Sequence, residues 1–214
     1  MKTLVLFPGL AADDRLFSAL KPGSHPLFTV QYLFPFKSES LEAYAQRIAD
    51  TLPRDSTLVY AGVSFGGVLA QAVARIRPAE KIILISSISA HSQLPSGYNI
   101  LKYVPLHNWL PARMVKSIVL WAGKKFTTKS EQEQALFEAM VHDADIRLVR
   151  WGIEQVLHWK QATPLAGIIH IHGRKDRLFP IRRIPVTYAV DGGQHFMIIQ
   201  QPGIISRLLQ ELTG

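Results

Sequence analysis

Short, almost wholly apolar runs separated by amphipathic helical stretches constrain this chain more than any other feature. Thr3–Phe7, Thr57–Ala61 and Lys81–Ile85 carry no polar alternation, so strands made from them must be covered on both faces, and Gly167–His172 reads as a further strand. Phe28–Leu33 and Pro185–Val190 read as two more strands. Between them, Leu41, Tyr44, Ala45, Ile48 and Leu52 recur at helical spacing behind the capping Ser40, and an Ala-, Val- and Leu-rich helix spans Phe65–Ile76. A shorter helix is expected over Asp13–Leu20 and a closing one over Ile198–Leu212. Strands alternating with helices predict an α/β class with a mostly parallel sheet of about six strands between two helical layers.

The alternation lapses between Ser86 and Ala162. That stretch reads as helices near Ala112–Trp121, Ser130–His142 and Asp145–Trp159, and it holds all the tryptophans: Trp109, Trp121, Trp151 and Trp159. A chain of 214 residues is short for two domains, so 1–214 is expected to be a single domain with residues 86–162 inserted after the fourth strand.

Several functional classes are removed by composition. No cysteine is present, which rules out a disulfide scaffold, a Cys-ligated metal and a thiol nucleophile, and fits a cytoplasmic protein. The net charge is +8, but the basic residues are scattered rather than interleaved with aromatics, so nucleic-acid binding is not expected. Lys2 followed by Leu4–Phe7 superficially resembles an export signal. Pro8-Gly9 breaks the run too early, and a strand entering a tight turn explains it better. No run is long enough for a membrane span.

The chemistry concentrates where the third strand meets its helix, in Gly62-Val63-Ser64-Phe65-Gly66-Gly67. This is G-x-S-x-G in the strand-to-helix context that the motif requires. A serine there sits on a sharp turn that exposes its hydroxyl. The backbone around it closes so tightly that Gly62, Gly66 and Gly67 leave room where side chains would clash. Ser64 is the candidate nucleophile.

A serine hydroxyl needs a base. His195, in Gly192-Gly193-Gln194-His195-Phe196, follows the last strand and can return an imidazole to the sheet edge where Ser64 emerges. An acid must orient that imidazole. Asp176, in the loop after the fifth strand, is favoured on geometry and chain order. Asp191 is the rival, although it would require the histidine's own loop to fold back. The turn Pro8-Gly9-Leu10 after the first strand can present the Leu10 N–H, which with the Phe65 N–H would form a two-donor oxyanion hole. His170 and His172 alternate on the fifth strand as a possible metal pair, but no third ligand recurs nearby, so no metal and no other cofactor is expected.

Together, the first-strand loop, the turn at Ser64, His172-Gly173…Asp176…Pro180 and Gly193-Gln194-His195-Phe196 resemble the α/β-hydrolase superfamily, in its order Ser, Asp, His. The resemblance spans nearly the whole chain and implies Ser64 as nucleophile, Asp176 as acid, His195 as base and Leu10 and Phe65 as oxyanion donors. It places residues 86–162 at the family's variable lid. The chain departs from the family in having Pro8 where many members have histidine, and in starting at the strand before this loop, so the two opening strands of the usual eight are missing.

The implied activity is hydrolysis of a carboxylic ester or thioester through an acyl-enzyme, in an esterase- or thioesterase-like member. The alternatives are acyl transfer to an alcohol, carbon–carbon bond hydrolysis, or a hydrolase-fold protein that binds ligand without turnover. The expected partner is a small ester or thioester. An anionic or carrier-bound one would engage Arg174, Lys175, Arg177, Arg182 and Arg183, though a solvated basic surface explains these more simply. Trp109, Leu110, Val119, Trp121, Phe137 and Trp151 are candidates to line an acyl pocket.

Overall fold

The computed structural model describes residues 2–54, 56–103, 109–126 and 130–214. Six strands form one sheet: β1 (Lys2–Phe7), β2 (Leu27–Thr29), β3 (Thr57–Val63), β4 (Lys81–Ile85), β5 (Ile168–Gly173) and β6 (Tyr188–Val190). They pair in the order β2-β1-β3-β4-β5-β6, and every pairing is parallel. The α-helices are α1 (Leu41–Thr51), α2 (Phe65–Ala74), α3 (Tyr98–Tyr103), α4 (Ala112–Phe126), α5 (Glu131–Asp143), α6 (Ile146–Leu157), α7 (Met197–Gln200) and α8 (Pro202–Thr213), with short 3₁₀ turns between some of the elements.

Side-chain alternation along the strands builds two cores. Val5, Phe7 and Tyr60 pack under α1 and α2 against Tyr44, Ile48 and Leu69. Leu4, Leu6, Val59 and Ile83 pack on the other face against Leu16, Ile205 and Leu209. A third cluster, with Val115, Phe137, Val141 and Val149, joins α4, α5 and α6 to Ala11 in the loop after β1. Trp151 anchors α6: its ring lies 4.3 Å from that of Tyr44, and its indole N–H donates to the Glu39 carbonyl at 2.7 Å. Gln161 ties the chain after α6 back to α2, donating to Gln71 Oε1 and to the Ser89 carbonyl, each at 2.7 Å.

Several expected elements differ in detail. Asp13–Leu20 makes only a single 3₁₀ turn, Asp14–Phe17, capped by the Asp13 carboxylate on the Arg15 N–H at 3.0 Å. The second strand is Leu27–Thr29 rather than Phe28–Leu33. Its last bond to β1 comes from the Val30 N–H to the Leu6 carbonyl, and the chain then leaves the sheet edge toward Pro35, which has no N–H to continue a ladder. The sixth strand is likewise confined to Tyr188–Val190, beyond Pro185. The closing helix is two helices, because Gln201 precedes Pro202 and adopts φ −134°, ψ 50°, outside the helical region that proline disfavours in its predecessor.

The sheet order reverses between β1 and β3. In an open parallel sheet, the carboxyl ends of such a pair border a crevice, and here they carry Pro8–Leu10 and Ser64.

Candidate active site

β3 lies inside the sheet, is buried from Leu58 to Val63 and runs directly into the turn at Ser64. Ser64 has φ 52° and ψ −121°, a conformation strained for a residue with a side chain. The turn holds because its neighbours over-determine it. The Ser64 N–H donates to the Ile85 carbonyl at 3.0 Å, while the Ser64 carbonyl accepts from the Gly67 N–H at 3.0 Å and the Ser87 hydroxyl at 2.6 Å. A Cβ on Gly62 would lie 2.5 Å from the Gly66 carbonyl oxygen, and one on Gly66 would lie 2.2 Å from the Phe7 carbonyl oxygen. These two glycines thus let α2 close onto both its own strand and the loop after β1. A Cβ on Gly67 would strike Ser87 Oγ at 2.3 Å.

The sheet brings together side chains that lie far apart in sequence. His195 Nε2 is 3.0 Å from Ser64 Oγ, and His195 Nδ1 is 2.9 Å from Asp176 Oδ2. Asp176 and His195 are almost wholly buried. Their loops meet because Gly173 lacks a Cβ, which would otherwise sit 2.3 Å from the Gly193 carbonyl oxygen. The Lys175 N–H donates to that same carbonyl at 2.8 Å. The rings of Phe179 and Phe196 pack edge-on against the imidazole, each 5.4 Å from it.

Asp176 is held from several sides. Its Oδ1 accepts from the Leu178 and Phe179 N–H groups, both at 2.9 Å. Its Oδ2 faces His172 Nε2 at 3.3 Å as well as His195. Burial alone would raise this carboxyl, but the charge of His195 and the hydrogen bonds from His172 and His195 outweigh it and hold Asp176 well below the ordinary carboxylate range. The rival acid lies elsewhere: Asp191 is exposed and pairs with Arg174 Nε at 2.7 Å.

Around the loop after β1, Ala11 takes φ 60° and the Ala12 N–H donates to the Gly9 carbonyl at 3.1 Å. Tyr32 OH donates to the Pro8 carbonyl, and its ring packs edge-on against Phe65 at 6.0 Å. Tyr32 thereby links the two segments that carry Leu10 and Phe65. Among the described residues, neither the Leu10 nor the Phe65 N–H donates to a protein acceptor. As the first residue of α2, Phe65 also presents the positive end of that helix.

Ser64 and His195 open onto a cavity of about 290 Å³ that is apolar on nearly every side. Leu10, Val68, Val119, Phe137, Val149 and Ile153 are among its walls. Of the six residues expected to line it, Val119 and Phe137 do. Trp151 is spent in the core against Tyr44, while Trp109 and Trp121 are exposed. Helical spacing shows that a residue faces a side of its helix, but not whether that side meets a cavity, the core or solvent.

The remaining candidates have local roles. His170 Nε2 lies 3.0 Å from the Ser87 carbonyl and His172 Nε2 lies 2.8 Å from the Phe179 carbonyl, so each ring meets backbone through that nitrogen. Arg183 reaches the Leu94 carbonyl at 3.3 Å, and neither it nor Arg174 lines the cavity. Ser87, Tyr32 and His172 support the site, yet no spacing rule in the sequence points to Ser87 or Tyr32. His172 alone had a signal, in its place on the strand before the acid's loop.

No family model and no curated protein matches this chain. Solved structures do match it. A thermophilic esterase from Thermogutta terrifontis superposes with a TM-score of 0.73 at 15% identity, covering 100% of this chain and 89% of that one. Polyneuridine aldehyde esterase gives 0.69 at 14% identity, with both chains wholly covered. A type II thioesterase of the yersiniabactin biosynthetic pathway gives 0.66 at 14% identity, covering 98% of this chain and 92% of its own. At such identities the likeness concerns the path of the backbone. Matches over the whole chain, together with the six parallel strands and the sheet reversal at the Ser64 turn, lead to one conclusion: this chain has the α/β-hydrolase fold.

Proposed function

We propose that this protein is a serine hydrolase that cleaves carboxylic esters or thioesters through an acyl-enzyme. The observation that carries the reading is the hydrogen-bonded relay from Ser64 Oγ through His195 to Asp176, standing at the mouth of an apolar cavity. In this reading His195 Nε2 takes the Ser64 proton as Oγ attacks the carbonyl carbon, and Asp176 keeps the imidazole oriented and stabilises its cation. The free Leu10 and Phe65 N–H groups receive the developing oxyanion. His195 then protonates the leaving alcohol or thiol. Water, deprotonated in turn by His195, releases the acid and restores Ser64. Substrate and water aside, each step uses groups that the chain itself carries.

The acyl group occupies the cavity, and the leaving group projects outward. Since the described cavity walls carry no charged side chain other than what His195 acquires during turnover, an anionic or carrier-bound substrate would keep its charge on the leaving-group side. Solved structures sharing the fold include esterases and thioesterases, which fits this substrate class. The whole of 1–214 is read as one domain, with residues 86–162 as its lid. No described helix is long and apolar enough to cross a membrane.

Treatment with a fluorophosphonate probe, followed by peptide mapping, tests the nucleophile. The expected result is a single adduct on Ser64, with labelling and ester hydrolysis both lost in Ser64→Ala. Folded protein that remains unlabelled, or a Ser64→Ala variant that keeps full esterase activity, would overturn the reading. A panel of alcohol acceptors added to the assay separates hydrolysis from acyl transfer.

A further inference from the structure

α4 is apolar on two sides. Val115 is buried inward, and Val119, Ala122 and Gly123 line the cavity. On another side Met114, Ile118 and Trp121 recur at positions i, i+4 and i+7, and they are 45%, 51% and 64% exposed. Single exposed apolar residues are ordinary on a soluble protein, whereas three in helical register form a stripe. The same segment exposes two amphipathic aromatics, Tyr103 at the end of α3 at 80% and Trp109 at 70%.

Charge distinguishes the possible occupants of this stripe. No aspartate or glutamate occurs from Lys81 to Ser130, while Lys102, Arg113, Lys116, Lys124, Lys125 and Lys129 all fall within that interval. The acidic residues resume only at Glu131, at the start of α5. A second copy of the chain would bring like charge against like charge, on a molecule whose net charge is already +8. An anionic surface would be attracted instead. An apolar helical stripe on a basic segment with exposed Trp and Tyr is the chemistry of a helix lying in the headgroup layer of a bilayer, where the rings sit at the boundary and the basic groups meet lipid phosphates.

We propose that the outer face of α4 docks on an anionic lipid surface. The inner face of the same helix lines the cavity, so docking would place the apolar pocket beside a reservoir of acyl chains. That consequence rests on the hydrolase reading above, but the docking itself does not, and its test reads membrane binding apart from turnover.

The experiment is co-sedimentation of the full chain with sucrose-loaded vesicles, one set of phosphatidylcholine alone and one of phosphatidylcholine mixed with phosphatidylglycerol. Tryptophan emission is followed in parallel. Binding is expected to the mixed vesicles, with a blue shift, and to weaken as salt is raised. Ile118→Asp should lower the partition coefficient by about tenfold or more, and Arg113→Glu by about fivefold or more. Both residues lie outside the cavity walls, so hydrolysis of a soluble short-chain ester and fluorophosphonate labelling should be unchanged, which also shows that the variants fold. Failure to bind mixed vesicles at low salt overturns the proposal. So does an Ile118→Asp variant that binds as well as the parent. A stable dimer dispersed by Ile118→Asp, or binding to a soluble acidic protein with none to vesicles, would give this face to a protein and equally overturn it.

Discussion

Substituting Gly66 tests whether close approach of α2 to the loop after β1 assembles the proposed oxyanion site. In Gly66→Ala the new Cβ would stand 2.2 Å from the Phe7 carbonyl oxygen and 2.3 Å from that of Pro8. Ordinary contact begins near 3.4 Å, so helix and loop must separate by about 1.2 Å. Both obstacles are backbone, one of them in the buried strand β1, and no side chain can simply rotate away. Leu10 sits on one side of this gap and Phe65 on the other. A separation of that size carries one N–H beyond useful hydrogen-bonding range of an oxygen bound to its partner, and the loss of one such donor costs about 10²–10³ in kcat. Overpacking should also lower stability by about 1–3 kcal/mol. The assay is steady-state hydrolysis of a p-nitrophenyl ester at a temperature where circular dichroism shows the variant folded. A fall concentrated in kcat is expected, with slower fluorophosphonate labelling in step. A folded variant with kcat within about twofold of the parent would refute the reasoning, because a donor misplaced by an ångström cannot leave transition-state stabilisation intact.

Other perturbations test separate parts of the molecule. Ser64→Gly should be more stable than Ser64→Ala by about 1 kcal/mol in denaturant unfolding, because glycine relieves the φ of 52° while alanine retains it; equal stabilities would mean that the turn is unstrained. In Gly123→Ala a Cβ would fall 2.0 Å from Phe137 Cε1, pushing the ring into the cavity or against Phe196, so kcat/KM should drop more for long-chain than for short-chain esters, and an unchanged chain-length profile would contradict this. His170 is pushed down to about 3, first by burial and then by the charge of His172. Its folded form therefore favours the neutral ring, so the associated stability is fully present above the unfolded value of about 6.5 and is lost as pH falls toward 3. The slope in that window should approach about 1.4 kcal/mol per pH unit and flatten in His170→Gln. Asp176, depressed below the usual carboxylate range, contributes stability that is retained above about pH 4 and lost only below it.

Much of the fold was legible because its signals are local. Lys81–Ile85 is a strand with the bounds its apolar run suggested, and Ser40 caps α1 through the Ala43 N–H at 3.2 Å. Between β4 and β5, α4, α5 and α6 were readable from spacing, although α4 extends to Phe126, while the short α3 at Tyr98–Tyr103 was missed; beyond β6, the expected closing helix parts into α7 and α8 at Gln201. Errors gathered at the sheet edges. There, whether a residue such as Tyr32 pairs in a ladder or turns to donate to the Pro8 carbonyl depends on neighbours distant in sequence.

Local sequence specifies the inner strand runs, the glycine-flanked turn at Ser64 and the order in which serine, acid and histidine occur. These follow from hydrophobic period and steric room, which are properties of a few adjacent residues. Chain order favoured Asp176 over Asp191 as the acid, but its contact with His195 is a property of the folded chain, because it depends on two glycines letting separate loops touch. Packing alone likewise sent Trp151 into the core and left Trp121 outside. A helix face takes its meaning from what stands opposite it, and no local pattern records that.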